Sequence, residues 1–338
     1  MRFRQLDRIL EVTPGVEITA ERRLSDRHAY FRDHFPQFPV LPGVLTLESM
    51  FQACDWLLRK TDDFCRTVIL LREIRSLKFA GFVRPKETFV VHAKIRKLDD
   101  PHASFSAQVT VDDRPVAAAR LVLERFNLSD RYPARAASDA YLRGHKLTQY
   151  EVLQSDSRKH APIPPTNFRW MWLDRFTEFV QGRRAEAIKT VSLTDEPLDL
   201  YMPGFPVMPC SLIIEGLAQT GGILISEFQN FKKPVVLAKI GKAVFHRPAL
   251  PGDTMTYSTE IEDVQAEGAL VRGISRIEDE LHAEVDLCFA YLDDRFGKME
   301  LISPEDVLAM LRLYGLYDVG QTDQGTPISV PEHLLVAE

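Results

Sequence analysis

A repeat constrains this chain more than any other feature. Leu6-Asp7-Arg8 returns 167 positions on as Leu173-Asp174-Arg175, and at the same offset Gly15 meets Gly182. Phe38-Pro39-Val40-Leu41-Pro42 then meets Phe205-Pro206-Val207-Met208-Pro209, Glu48 meets Glu215, and Gln52 meets Gln219. Beyond this stretch the offset slips by one, so that Ile74…Lys78-Phe79…Pro85 matches Ile240…Val244-Phe245…Pro251. Single matches arise by chance, but an ordered series marks a duplicated unit, which is expected to fold twice.

Each half has the same order: a short strand and turn, a proline-punctuated loop, an apolar helix, then several strands. The helices are expected over Val44–Arg59 and Leu212–Glu227, each entered just after a proline (Pro42, Pro209), where a missing N–H costs little. Apolar and polar residues alternate through Phe89–Ile95 and Ser104–Val111, and Ala117–Leu123 continues the set. Met255–Ile261, Ala269–Ile277 and Ala283–Tyr291 play the same parts in the second half. A helix followed by a run of strands predicts an α+β architecture on an antiparallel sheet. The expected divisions are a first domain over 1–126, a polar linker over 127–166 ending in Pro162-Ile163-Pro164-Pro165, a second domain over 167–296, and a C-terminal helical extension over 297–338. In the extension, Ser303-Pro304-Glu305-Asp306 reads as a capped helix start and Gly315 as its stop. That helix is expected to dock on the body, with no role readable from its residues.

Of the 338 residues, 45% are hydrophobic and 27% charged, which suits a globular chain with a sizeable core. The net charge of −6 argues against nucleic acid as a main partner, because phosphate binding needs a basic face, although a local basic patch stays compatible with it. Cys54, Cys65, Cys210 and Cys288 form no Cys-x-x-Cys pair and have no His at zinc-ligand spacing, which reads as reduced thiols, a cytoplasmic setting and no metal. The N-terminal residues lack the apolar core of a signal peptide. No apolar run reaches the roughly 18–20 residues of a membrane span.

The chemistry-bearing residues sit in apolar surroundings. Between His34 and Asp55 the sole charged residue is Glu48, on a helix apolar around most of its circumference. From Tyr201 through Ser226 the sole carboxylate is Glu215, within Leu212-Ile213-Ile214-Glu215-Gly216-Leu217-Ala218. Burying a carboxylate is expensive unless it is protonated, paired or hydrogen-bonded. Desolvation raises its pKa, which suits a general acid near neutral pH. Burial alone equally suits a carboxylate that bonds a nearby loop and holds it. His34 alone reads as a loop residue and Gly43 alone as a turn. Together, a base, a carboxylic acid and a helix-start N–H that can polarise a carbonyl suit proton abstraction beside a carbonyl.

His34-Phe35-Pro36…Pro39-Val40-Leu41-Pro42-Gly43-Val44…Glu48 resembles the signature of the 3-hydroxyacyl-[acyl-carrier-protein] dehydratases. Phe205-Pro206-Val207-Met208-Pro209…Glu215-Gly216-Leu217-Ala218-Gln219 resembles the same segment, and Phe245-His246-Arg247-Pro248-Ala249-Leu250-Pro251-Gly252-Asp253 a later strand motif of that family. The resemblance implies two hot dog folds, each a long helix wrapped by an antiparallel sheet, paired within one chain as an intramolecular pseudo-dimer. It also implies an active site at the pair interface, with the histidine and glycine from one fold and the acid from the other. The chain departs from the pattern in its second half: Tyr201 stands where His34 stands, Met202 replaces Phe35, and Cys210 replaces Gly43. One composite site is therefore complete, with His34 as base, Gly43 as oxyanion donor and Glu215 as acid, and with Gln219 one turn on as a supporting residue. The reciprocal site has Tyr201, Cys210 and Glu48, and a tyrosine is a poor base near neutral pH. The expected reaction dehydrates (R)-3-hydroxyacyl thioesters to trans-2-enoyl thioesters without a cofactor. The substrate is carried on acyl carrier protein or coenzyme A, and Arg72, Arg75, Arg84 and Arg247 are the surface residues that bear on that choice. The residues leave open a non-catalytic acyl-binding or structural hot dog protein, a thioesterase, an enoyl-CoA hydratase, and a higher homo-oligomer.

Overall fold

The computed structural model describes residues 3–155, 170–202, 204–292 and 300–335. The first half runs β1 (Arg8–Thr13), β2 (Glu17–Arg23), α1 (Tyr30–Asp33), α2 (Gly43–Thr61), β3 (Val68–Phe79), β4 (Thr88–Leu98), β5 (His102–Val111) and β6 (Arg114–Phe126). Two further helices follow, α3 (Leu128–Arg131) and α4 (Ala137–Gln154). The second half repeats the order: β7 (Arg175–Val180), β8 (Arg184–Thr190), α5 (Glu196–Tyr201), α6 (Cys210–Phe228), β9 (Val235–Phe245), β10 (Thr254–Gln265), β11 (Gly268–Ile277) and β12 (Glu280–Tyr291). It ends with α7 (Pro304–Leu313), α8 (Leu316–Val319) and the short β13 (Gly320–Gln321).

Period-two alternation puts one face of each strand into the core, as in β4, where Phe89, Val91 and Ala93 are buried between partly exposed neighbours. Each half curls its strands around its own long helix. Every residue of α2 from Val44 to Arg59 is buried. The described strands join in one sheet ordered β1-β2-β4-β5-β6-β3-β9-β12-β11-β10-β8-β7-β13. The two halves meet where β3 pairs antiparallel with β9, with Ile74 opposite Ala243 and Leu77 opposite Ile240. The helices α2 and α6 also touch each other. This is the expected double hot dog: two copies share a sheet and bury their helices back to back, and residues of both converge beneath the seam.

The segments after each half do not hang free. The sequence reads 127–166 as a linker, yet its described part includes the 18-residue α4, which buries Leu142, Lys146, Tyr150 and Leu153. The ring of Tyr150 lies 5.3 Å from that of Phe64 and 6.0 Å from that of Trp56. Lys146 sits 3.9 Å from Asp55 of α2, which also pairs with Arg59 at 2.9 Å. The proline run at 162–165 and the division at 296–297 lie outside the described residues. The C-terminal helix starts as its sequence predicts: the Ser303 hydroxyl accepts from the Asp306 N–H, Pro304 is the first helical residue, and Gly315 takes a left-handed φ of 66°. Leu311, Tyr314 and Leu316 pack with Phe176, Phe179 and Leu224 in a second apolar cluster, and β13 adds to β7 in parallel.

Candidate active site at the seam of the two halves

A cavity of about 500 Å³ opens where α2, α6 and the loop after α1 converge. His34, Gly43, Glu215 and Gln219 all line it. His34 caps α1 at its C-terminal end, its N–H donating to the Tyr30 carbonyl at 2.8 Å. Burial pushes its pKa from 6.5 down to about 3, against a backbone hydrogen bond with Val40 that pulls upward. His34 as a whole is half-buried and lines the cavity. The imidazole is neutral at physiological pH, the form a base requires.

Gly43 is the first residue of α2, after Pro42. The Leu45 N–H already donates to the Pro42 carbonyl at 2.9 Å. The N–H groups of Gly43 and Val44 are those a helix start leaves without an intrahelical acceptor, and both residues line the cavity. A Cβ on Gly43 would stand 3.0 Å from the Phe79 ring, so the absent side chain lets that ring close the wall.

Glu215 projects from α6 and is 7% exposed. Desolvation pushes its pKa up to about 7, against hydrogen bonds from Gln219 and Trp170 that lower it. Both donors reach the same oxygen: Trp170 Nε1 lies 2.9 Å from Oε1, and Gln219 Nε2 also lies 2.9 Å from it. Two N–H donors fix Oε1 as an acceptor, which makes Oε2 the oxygen that carries the proton of the acid form. Gln219 is itself clamped, donating to the Trp170 carbonyl at 3.2 Å and accepting from the Trp172 N–H at 2.9 Å. Trp170 N–H in turn donates to Asp33, next to His34, at 3.1 Å. The Trp170–Trp172 segment thus ties the His34 loop and Glu215 into one frame. Gly216 makes this approach possible: a Cβ there would stand 2.3 Å from the Tyr257 ring and 2.7 Å from the Trp172 carbonyl oxygen. Sequence reasoning missed Trp170. Its repeat counterpart, Phe3, has no indole N–H to mark the position, although the two backbone carbonyls accept alike, from Gln52 and from Gln219.

The reciprocal position is closed. Tyr201, Cys210 and Glu48 do come together, but the space beside Tyr201 and Cys210 is about 20 Å³. Glu48 accepts from Gln52 Nε2 on Oε1 at 2.9 Å and from the Ser211 hydroxyl on Oε2 at 2.7 Å, so both oxygens are engaged. Burial raises the Tyr201 phenol well above 10, an effect the adjacent Glu48 reinforces. Cys210 Sγ donates to the Leu71 carbonyl at 3.7 Å. Of the arginines singled out by sequence, Arg72, Arg75 and Arg247 pair with Glu124, Glu73 and Glu280. Arg84 lies over the Phe38 ring, 5.8 Å from its centroid. Among the described residues no three His, Cys, Asp or Glu side chains gather as a metal site requires.

Two wrapped helices under one continuous sheet, with a cavity at their seam, define a double hot dog protein. Solved structures share this architecture. A putative oleoyl thioesterase from Lactobacillus plantarum superposes with a TM-score of 0.54 at 12% identity, over 82% of this chain and 97% of that one. A hot dog protein from Alicyclobacillus acidocaldarius superposes at 0.51 and 13% identity, over 87% of this chain and 98% of that one. At such identities the likeness is one of fold. The sequence goes further: the FabA-like domain model matches residues 1–120 and 163–283, and the chain belongs to the FabA-like family. It is 33% identical over 136 residues to the 3-hydroxyacyl-[acyl-carrier-protein] dehydratase FabZ of Pelotomaculum thermopropionicum, covering 40% of this chain and 97% of that protein. It is 34% identical over 139 residues to FabZ of Bacillus subtilis, covering 40% and 96%. No helix among the described residues is long and apolar enough to cross a membrane.

Proposed function

We propose that this protein dehydrates (R)-3-hydroxyacyl thioesters, carried on acyl carrier protein, to trans-2-enoyl thioesters at a single composite site. The observation that carries the reading is the convergence of a neutral His34, the α2 start at Gly43 and a high-pKa Glu215 on one cavity at the seam. The thioester carbonyl accepts from the Gly43 N–H, which stabilises negative charge as it develops on that oxygen. His34 takes a proton from the carbon beside the carbonyl, the electrons form the new double bond, and the 3-hydroxyl leaves as water with the proton of Glu215 Oε2. The imidazolium and carboxylate left behind exchange protons with water to reset the site. Gln219 and Trp170 act as positioning residues, since they reach the reaction through Glu215. Membership of the FabA-like family and the FabZ relatives support the reaction class.

The test is turnover of a 3-hydroxyacyl thioester, followed by absorbance of the enoyl product, in wild type, Glu215→Gln and Glu48→Gln. Glu215→Gln is expected to lose about 10²–10⁴-fold in kcat, the usual worth of a general acid, while Glu48→Gln stays within about threefold of wild type. Equal loss in the two variants would overturn the single site. Release of free acid and thiol without enoyl product would make the protein a thioesterase.

A further inference from the structure

The C-terminal helix lies outside both segments that the FabA-like model matches, yet it forms a wall of the reaction cavity. Ala309, Met310, Leu313 and Tyr314 line that cavity, and their spacing puts them on one helix face. The helix is held firmly there. The Phe176 N–H donates to the Tyr314 carbonyl at 2.9 Å, and the Gln37 N–H donates to the Leu301 carbonyl at 3.2 Å.

Opposite this wall, α6 lines the cavity from Glu215 through Gly222 and Ile223 to Ser226. That span is about 16 Å long at the helical rise per residue. Ile223 already packs in the cluster that holds α7, so α7 borders the stretch beyond the acid. At Gly222 the helix offers no side chain, and an added Cβ would stand 3.4 Å from the Phe289 ring. On the facing wall Leu313 keeps 61% of its surface uncovered, and Ala309 is exposed. The docked helix thus carries exposed apolar surface beside a cavity that also holds His34 and Glu215. An alkyl chain would cover that surface.

We propose that α7 gauges acyl length: the substrate's alkyl chain runs from the reacting carbons along α6 and meets Met310 and Leu313. This rests on the dehydratase reading above. A short acyl chain ends before it reaches α7, whereas a long one contacts it. The appended helix, and not the matched family core, then sets which chain lengths are turned over well.

The test compares kcat/KM on 3-hydroxybutyryl and 3-hydroxydodecanoyl thioesters in wild type, Ala309→Trp and Met310→Ala. Ala309 is exposed, so the indole fills the channel without entering the core. Ala309→Trp is expected to lower kcat/KM at least about tenfold on the dodecanoyl substrate, the scale of a pocket made too small, and to leave the butyryl value within about twofold. Met310→Ala is expected to shift the preference toward longer chains. Equal effects on both substrates, or no change in the ratio for either variant, would overturn the gauge. Calorimetric binding of dodecanoyl-coenzyme A to wild type and Ala309→Trp keeps the question separate from the chemistry. If wild type makes no enoyl product from any chain length, the dehydratase reading fails, and weaker binding to the variant alone still supports the gauge.

Discussion

Two glutamates occupy equivalent positions in the repeat, and their hydrogen bonds separate them. Burial pushes both pKa values to about 7. Glu48 spends both oxygens on Gln52 and Ser211, whereas the donors to Glu215 converge on Oε1. A proton is available for delivery only from an oxygen that is not already held, which fits an acid at one site and a structural carboxyl at the other. The proposed mechanism needs His34 neutral and Glu215 protonated. Activity should therefore fall as pH rises through about 7, while the imidazole, depressed to about 3, stays neutral across the neutral range. Trp170→Phe removes one donor to Oε1. Hydrogen bonds from N–H groups favour the anion, so their loss raises the pKa further. The expected result is an alkaline limb moved to higher pH, with kcat lowered about tenfold from misplacement of the acid and KM nearly unchanged. A pH–rate profile of the variant checks this, and an unmoved limb would reduce Trp170 to packing. The sequence exposed the glutamates because each was the lone charge in an apolar run, but it hid Trp170, whose indole has no counterpart in Phe3.

At the scale of elements, the long helices and the strands after them were legible because their apolar residues recur at regular periods over many positions. α4 was not legible. Its buried residues Leu142, Lys146, Tyr150 and Leu153 follow helical spacing, but a lysine in the stripe and polar flanks disguise it as linker. The lysine is buried because Asp55 on α2 receives it, alongside Arg59. Desolvation still lowers the Lys146 pKa to about 8. Asp55→Asn would leave two cations without their anion in a dry setting, at a cost of about 3–5 kcal/mol. Denaturant titration should show that loss, and Asp55→Asn combined with Lys146→Met should recover part of it. If Asp55→Asn is neutral, α4 does not depend on this cluster for docking. The C-terminal helix was legible from its cap and apolar face. Its place against the cavity was not, because periodicity tells which face is apolar and not what covers it.

For the whole molecule, fusion of the two halves allows asymmetry. A homodimer of identical folds carries two equal sites, and any substitution falls on both. In a fused pair each copy can differ, and here the second copy has Tyr201 and Cys210 where the first has His34 and Gly43, with a space of about 20 Å³ beside them. The difference goes deeper than two residues. Ser211 stands where Val44 stands in the first copy and occupies the second oxygen of Glu48, and the ring of Phe3 packs edge-on against that of Tyr201 at 5.8 Å. Restoring the motif alone should therefore not restore a site. In a His34→Ala background, Tyr201→His with Cys210→Gly is expected to give no more enoyl product than His34→Ala alone, although the protein folds. Turnover regained in this triple variant would mean that the closed position differs from a working site only in its base and its helix start. Continued inactivity, with regain only after Ser211→Val frees Glu48, would locate the loss in the engaged carboxyl.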